Sequence, residues 1–190
     1  MAKRPVLVLD ATPLIALGGA ASLETVVRLN FRFVVALEVE HEVVVEGRRV
    51  GAPDASAVER FLREGSIERA KVRGGRLLQR IRENPRLSPA DAASLCLALE
   101  LDARIVTDER DLRSAARALG AKVGGTLFLL ASAVKARRMT AAEAVGTAER
   151  MVERGWYCSP AVLRSFASLM EGEVSRGHTP GGQTDRGRRG

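Results

Sequence analysis

The first strong pattern along the chain is VLVL at residues 6–9, four apolar residues that lead directly into Asp10, Thr12 and Pro13 before a second apolar run. An unbroken apolar run of this length suits a strand buried on both faces of a parallel sheet. FRFVVA at 31–36 and ARIVT at 103–107 repeat the pattern, and AKV at 121–123 is a shorter version of it. Between these runs the period changes to that of helices. Ser22 begins a helix over 22–29, and EVEHEVVVEG predicts a short helix over 38–47 ended by Gly47. Asp54 caps a further helix that stops at Gly65, and the arginine-rich segment 73–83 reads as helical.

LSPADAASLCLALEL has Ser88 at an N-cap, Pro89 at the first helical position and Asp91 in the first turn, with Ala92, Leu95, Cys96 and Leu99 on one face. After 103–107, Leu112, Ala115, Ala116 and Leu119 mark a helix that ends at Gly120. Thr140 and Glu143 form a capping-box pattern opening a helix to about Gly155, and Ser159-Pro160 opens another to about Met170. Strand, acid, helix is the recurring unit, which predicts an α/β fold with a mostly parallel sheet. No internal repeat is visible. Residues 172–190, with GHTPGGQTDRGRRG, have almost no apolar content, so they are expected to be a disordered tail dispensable for folding of a single domain over 1–171.

Composition narrows the function classes. The chain is 46% hydrophobic and 28% charged, as in water-exposed globular domains, and its 4% aromatic content argues against a binder of single strands built on stacking. The net charge of +7 points to an anionic partner, and eleven basic against five acidic residues between Arg48 and Arg86 concentrate that charge in one region. A solvated helical face with arginine stems lying over apolar surface is the competing explanation. Cys96 and Cys158 lack any metal-ligand spacing and read as free thiols, while His41 and His178 are too few for a histidine metal site. The N-terminus MAKRPVLVLD has no secretory character, and no stretch is long enough to span a membrane. A cytoplasmic location is the expectation.

The chemistry lies in the acids that follow the strands. Ligands of parallel α/β sheets bind at the carboxyl ends of the strands. Asp10 ends the first strand and Asp108 follows RIVT, so their carboxylates converge if the two strands are neighbours. Asp91 and one of the acids Glu38, Glu40, Glu42 and Glu46 could face the same crevice, and spacing alone does not choose among the last four. Four carboxylates in one place repel unless a divalent cation neutralises them, and oxygen ligands without histidine or thiolate favour Mg²⁺ or Mn²⁺. Such a site suits hydrolysis of nucleic acid phosphodiesters, with the basic region holding the backbone. Each acid also has a plainer role: Asp10 as a turn cap with Thr12, Asp91 as a partner of the helix dipole, and Asp108 as a neighbour of the true ligand, Glu109 or Asp111. Thr12 and Thr107 could hydrogen-bond the carboxylates or a ligand water.

In order, VLDATPLIAL, FVVALEVEHEV and SPADAASLCLALELDARIVTDERDLRSAARALG resemble a PIN domain, the metal-dependent ribonuclease fold of many prokaryotic toxins. KVGGTLFLLASAVKARRMT and ERGWYCSP resemble one PIN subfamily in particular, and the likeness covers about residues 5–171. It implies a three-layer α/β/α fold and places the family's acids on Asp10 with Thr12 beside it, on Glu42, on Asp91 and on Asp108. Ala36 stands where relatives often have proline, and Asp91 where that subfamily usually has glutamate. The resemblance further implies Mg²⁺ or Mn²⁺, cleavage of single-stranded RNA by activated water, a homodimer, and an antitoxin partner if the chain is a toxin. Two other classes compete. One is a PIN-like module that binds RNA or a partner without cutting. The other is a phosphoryl-transfer enzyme of the haloacid dehalogenase type, which calls for a second aspartate where Thr12 stands.

Overall fold

The structure, a computed structural model, describes residues 4–177. Strands β1 (Val6–Leu9), β2 (Arg32–Ala36), β3 (Glu68–Ala70), β4 (Arg104–Val106) and β5 (Lys122–Gly124) form one sheet in the order β3-β2-β1-β4-β5. All four pairings are parallel. The architecture is three-layer α/β/α. β1 lies at the centre, so Leu7, Val8 and Leu9 are shut off from solvent, as its uninterrupted apolar run requires. β3 is an edge strand of three residues, and its Glu68 pairs with Arg32 across the sheet at 2.7 Å. Short and half-polar, it carries no periodic signal between the helix ending at Gly65 and the arginine-rich segment.

The order of the strands reverses at β1, whose neighbours are β2 on one side and β4 on the other. The crevice between β1 and β4 is therefore the switch point at which ligands of parallel sheets bind. Its position is set by register. Leu9 is paired with Val106, so the next residues, Asp10 and Thr107, emerge side by side.

The helices depart from expectation where packing outweighs local pattern. ATPLIALGG at Ala11–Gly19 is helix α1, and its apolar residues are buried on most sides, which removes the amphipathic period. Helix α2 spans Leu23–Val27. The helix expected over 38–47 is α3 (Leu37–Glu40), a π-helical turn (His41–Glu46) and α4 (Gly47–Arg49) in continuous sequence. Gly47 does not end it. Its backbone is helical, and a Cβ there would lie 3.2 Å from Ala55 Cβ, so glycine permits close helix packing instead. Helix α5 (Pro53–Arg63) is entered through Ala52 at the N-cap; Asp54 sits in its first turn and makes no capping bond.

Helix α6 is Arg76–Arg82 and α7 is Pro89–Glu100, whose Ser88–Asp91 capping box forms as expected. Because α7 packs on β1, β2 and β4 and also touches α3, α6 and α8, residues Ala92 to Ala98 are buried around nearly its whole circumference. Helix α8 is Arg110–Ala118, α9 is Thr126–Lys135, α10 is Ala141–Glu153 with its Thr140–Glu143 capping box, and α11 is Pro160–Gly177. α11 thus runs past Met170 and through the first six residues of the expected tail; residues 178–190 lie outside the described residues. Among the described residues no helix is long and apolar enough to cross a membrane.

Candidate active site at the ends of β1 and β4

Asp10 occupies the N-cap position of α1 but does not cap it. Its carboxylate is 1% exposed and turns toward β4 and α7. Thr107 Oγ1 donates to Asp10 Oδ2 at 2.8 Å, Ser94 Oγ lies 3.4 Å from Oδ1, and the Asp10 backbone N–H donates to the Val106 carbonyl at 3.0 Å. Thr107 in turn accepts from the Glu109 N–H at 3.1 Å. Burial, opposed by the Thr107 hydrogen bond, pushes the Asp10 carboxyl up to about 7, and the negative charges of Asp91 and Glu42 add to the rise. Glu42 is also raised, first by burial and then by Asp91 and Glu109. Asp10, Glu42, Asp91 and Glu109 therefore share one electrostatic environment.

Glu42 is the second residue of the π-helical turn, and of the four nearby acids it is the one that lines the cleft. The other three are engaged elsewhere: Glu40 with Arg69, Glu38 with Arg82, and Glu46 with Arg49. Asp91 keeps its local role, since its Oδ2 accepts from the Ser88 N–H at 2.7 Å, and it faces Asp10 and Glu42 as well.

Asp108 lines the same cleft as Glu42 and Glu109, while its carboxylate is bound at the β5–α9 junction. Asp108 Oδ1 accepts from the Thr126 N–H at 3.0 Å, and Oδ2 accepts from the Thr126 hydroxyl and, at 2.9 Å, from Trp156 Nε1. A Cβ on Gly125 would lie 2.7 Å from Asp108 Oδ1, which is why the β5–α9 junction has glycine there. Glu109, also named among the candidate ligands, sits beside the first strand's end: its Oε1 accepts from Thr12 Oγ1 at 3.2 Å. Asp111 points away, 3.8 Å from Arg86.

A cleft of about 800 Å³ opens beside these acids, lined in part by Thr12, Glu42, Asp54, Arg110, Arg154 and Tyr157. Sequence reasoning gives no site role to Ser94, Arg110, Arg154 and Trp156, and gives Asp54 only a capping one. Ser94 had a signal, because it lies three residues after Asp91 and so on the same face of α7. The others reach the cleft through tertiary packing alone. The basic region also looks different in three dimensions: Arg48, Arg49, Arg60, Arg69, Arg82 and Arg86 each face a carboxylate, whereas Arg110 and Arg154 face the cleft with no ion pair among the described residues.

A family model described as PIN domain matches residues 6–172. The chain belongs to the PIN-domain family. Members of this family are commonly nucleases that use divalent metal ions. Among solved structures, PAE2754 from Pyrobaculum aerophilum is similar at 19% identity over 70% of this chain and 92% of that one, with a TM-score of 0.51, a likeness of fold. A PilT N-terminus domain protein, SSO1118, from Sulfolobus solfataricus matches at 18% identity over 68% of this chain and 93% of that one, with a TM-score of 0.46. No curated protein matches.

The donor chemistry of this PIN domain fits a hard dication. The converging groups are all carboxylates, and burial first, then the neighbouring acids, raise Asp10 and Glu42, a setting in which a dication would favour the ionised forms. Among the described residues no three such side chains stand close enough to enclose one ion, so binding requires the acids to draw together.

Proposed function

We propose that this PIN domain is a metal-dependent endoribonuclease whose Asp10, Glu42, Asp91 and Glu109 hold Mg²⁺ or Mn²⁺, with Asp108 supporting the site from the wall of the same cleft. The observation that carries this reading is the buried Asp10 carboxylate at the switch point, raised to about 7 and facing other acids. Buried acids without a cationic partner are costly to ionise, and a dication offsets that cost. Once bound, the metal would supply a water of lowered pKa and stabilise charge on the scissile phosphodiester. The protein's own groups prepare the site. Thr107 and Ser94 orient Asp10, Thr12 orients Glu109, and Trp156 with Thr126 fixes the turn that presents Glu109. Arg110 and Arg154 would meet the RNA phosphates at the cleft.

The test is cleavage of a fluorophore-quenched single-stranded RNA with Mn²⁺, with EDTA and with the Asp10→Asn variant. Cleavage that needs Mn²⁺ and disappears in a folded Asp10→Asn protein is the expected result; full activity in that variant removes the site assignment. A second reading, a PIN module that binds RNA or a partner without cutting, is favoured by the absence of a closed set of three acids among the described residues. Stoichiometric RNA binding with no metal-dependent product would decide for it. We extend the proposal to toxin function with an antitoxin partner and to a homodimer, both on the family resemblance. A small upstream reading frame encoding a DNA-binding protein that co-purifies with this chain supports the first, and sedimentation tests the second.

A further inference from the structure

Asp54 has no function in the site described above, and its surroundings are unusual. It is 6% exposed, lines the cleft, and makes no hydrogen bond or ion pair among the described residues. An acid in the first turn of α5 favours the helix dipole, but an exposed side chain would serve that purpose as well. Its carboxylate oxygens are not among the buried unpartnered atoms, so they open into the cleft and are free to accept from donors of a bound molecule. Its position is fixed by tight packing: a Cβ on Gly18 of α1 would lie 2.9 Å from Asp54 Cβ.

The remaining lining indicates what the donors belong to. Tyr157 is 85% exposed and presents a free aromatic face. Trp156, beside it, is held through its Nε1 hydrogen bond to Asp108. Arg110 and Arg154 supply positive charge without an ion pair among the described residues. A cation for phosphate, a ring for stacking and an acceptor for a base edge are together the complement of a nucleotide. Among the bases, guanine places two adjacent donors, N1–H and the N2 amino group, on its Watson–Crick edge, which matches the two oxygens of one carboxylate. Adenine and cytosine offer one amino donor beside an acceptor that a carboxylate repels, and uracil offers a single imide N–H.

We propose that the cleft contains a guanine subsite, in which Asp54 accepts hydrogen bonds from N1–H and N2–H, Tyr157 stacks on the base, and Arg110 or Arg154 contacts its phosphate. This deepens the nuclease reading, on which it rests, by assigning a base preference next to the acids. Trp156 is the chain's one tryptophan and lies in the cleft, so its fluorescence reports occupancy directly.

Metal-free protein titrated with guanosine, adenosine, cytidine and uridine 5′-monophosphates, none of which has a phosphodiester to cut, tests the subsite alone. The guanosine nucleotide binds about tenfold more tightly than the other three, and Asp54→Asn removes that margin while leaving the adenosine nucleotide within about twofold. Tyr157→Ala weakens all four together. Equal affinity of the four nucleotides for the wild-type protein overturns the proposal without reliance on any variant, as does an unchanged margin in folded Asp54→Asn. Guanosine preference in a chain that cleaves no RNA leaves the subsite standing and removes the nuclease reading; Mn²⁺-dependent cleavage without guanosine preference does the reverse.

Discussion

At the scale of single residues the site turns on two questions of protonation and facing. Asp10 ionises near pH 4 in an unfolded chain and about 7 in the folded one, so between those values the native state holds a proton that the unfolded state has lost. Stability from this group is therefore complete below about pH 4 and declines as pH rises through 7. Thermal unfolding of the metal-free protein should show this loss, on the order of 4 kcal/mol from Asp10, and Asp10→Asn should remove it. Mn²⁺ at pH 8 should restore it in the wild type alone. The second question concerns the pair Asp108 and Glu109. Glu109→Gln should weaken Mn²⁺ binding by about tenfold in calorimetry with little effect on folding. Asp108→Asn should leave Mn²⁺ affinity nearly unchanged and cost about 2 kcal/mol of stability, since its carboxylate accepts from Thr126 and Trp156. A larger loss of Mn²⁺ affinity in Asp108→Asn would return that residue to the metal. The sequence shows both acids after one strand, but which of them faces Asp10 depends on the pairing of Leu9 with Val106, a relation between segments almost one hundred residues apart.

At the scale of elements, what could be read in advance is what is decided locally. Both capping boxes, at Ser88 and Thr140, form as their side chains dictate, and the glycines at 65, 120 and 155 close helices with positive φ. Helix α1 and strand β3 were invisible for opposite reasons: α1 is apolar nearly all round, and β3 is too short and polar to show a period. The π-helical turn that contains Glu42 leaves no mark in HEVVVE, because widening a helix turn is settled by what packs around it. Asp91 belongs to an element and to the site at once, and the two roles separate experimentally. Ser88→Ala should cost about 1 kcal/mol and lower Tm by a few degrees through loss of the cap, read by calorimetric unfolding. Cleavage per folded molecule should hold, since Asp91 retains its carboxylate. A collapse of activity at preserved stability would show that Ser88 orients Asp91 for the metal and not merely for the helix.

At the scale of the whole molecule, the +7 charge acts through where it is left unpaired. Six of the eleven cations between Arg48 and Arg86 face carboxylates, among them Arg69 with Glu40, so about half of that region's positive charge is met within the surface. These pairs are exposed and weak, and an RNA phosphate could displace several of them, but each exchange releases as much attraction as it forms. Arg110 and Arg154 have no such competition. For a single strand, each phosphate neutralised adds about 0.7 to the magnitude of the slope of log K against log salt. Replacing both Arg110 and Arg154 with glutamine should therefore reduce that slope by about 1.4 in anisotropy titrations of an oligouridylate. Replacing Arg48 and Arg49, which face Glu59 and Glu46, should change it by less than half as much. Oligouridylate keeps base recognition out of the comparison, and metal-free buffer keeps cleavage out. If the outer pair proves to carry the larger share, RNA tracks over α4 and α5 and not through the cleft, and the path drawn from Arg110 to Tyr157 is the wrong one.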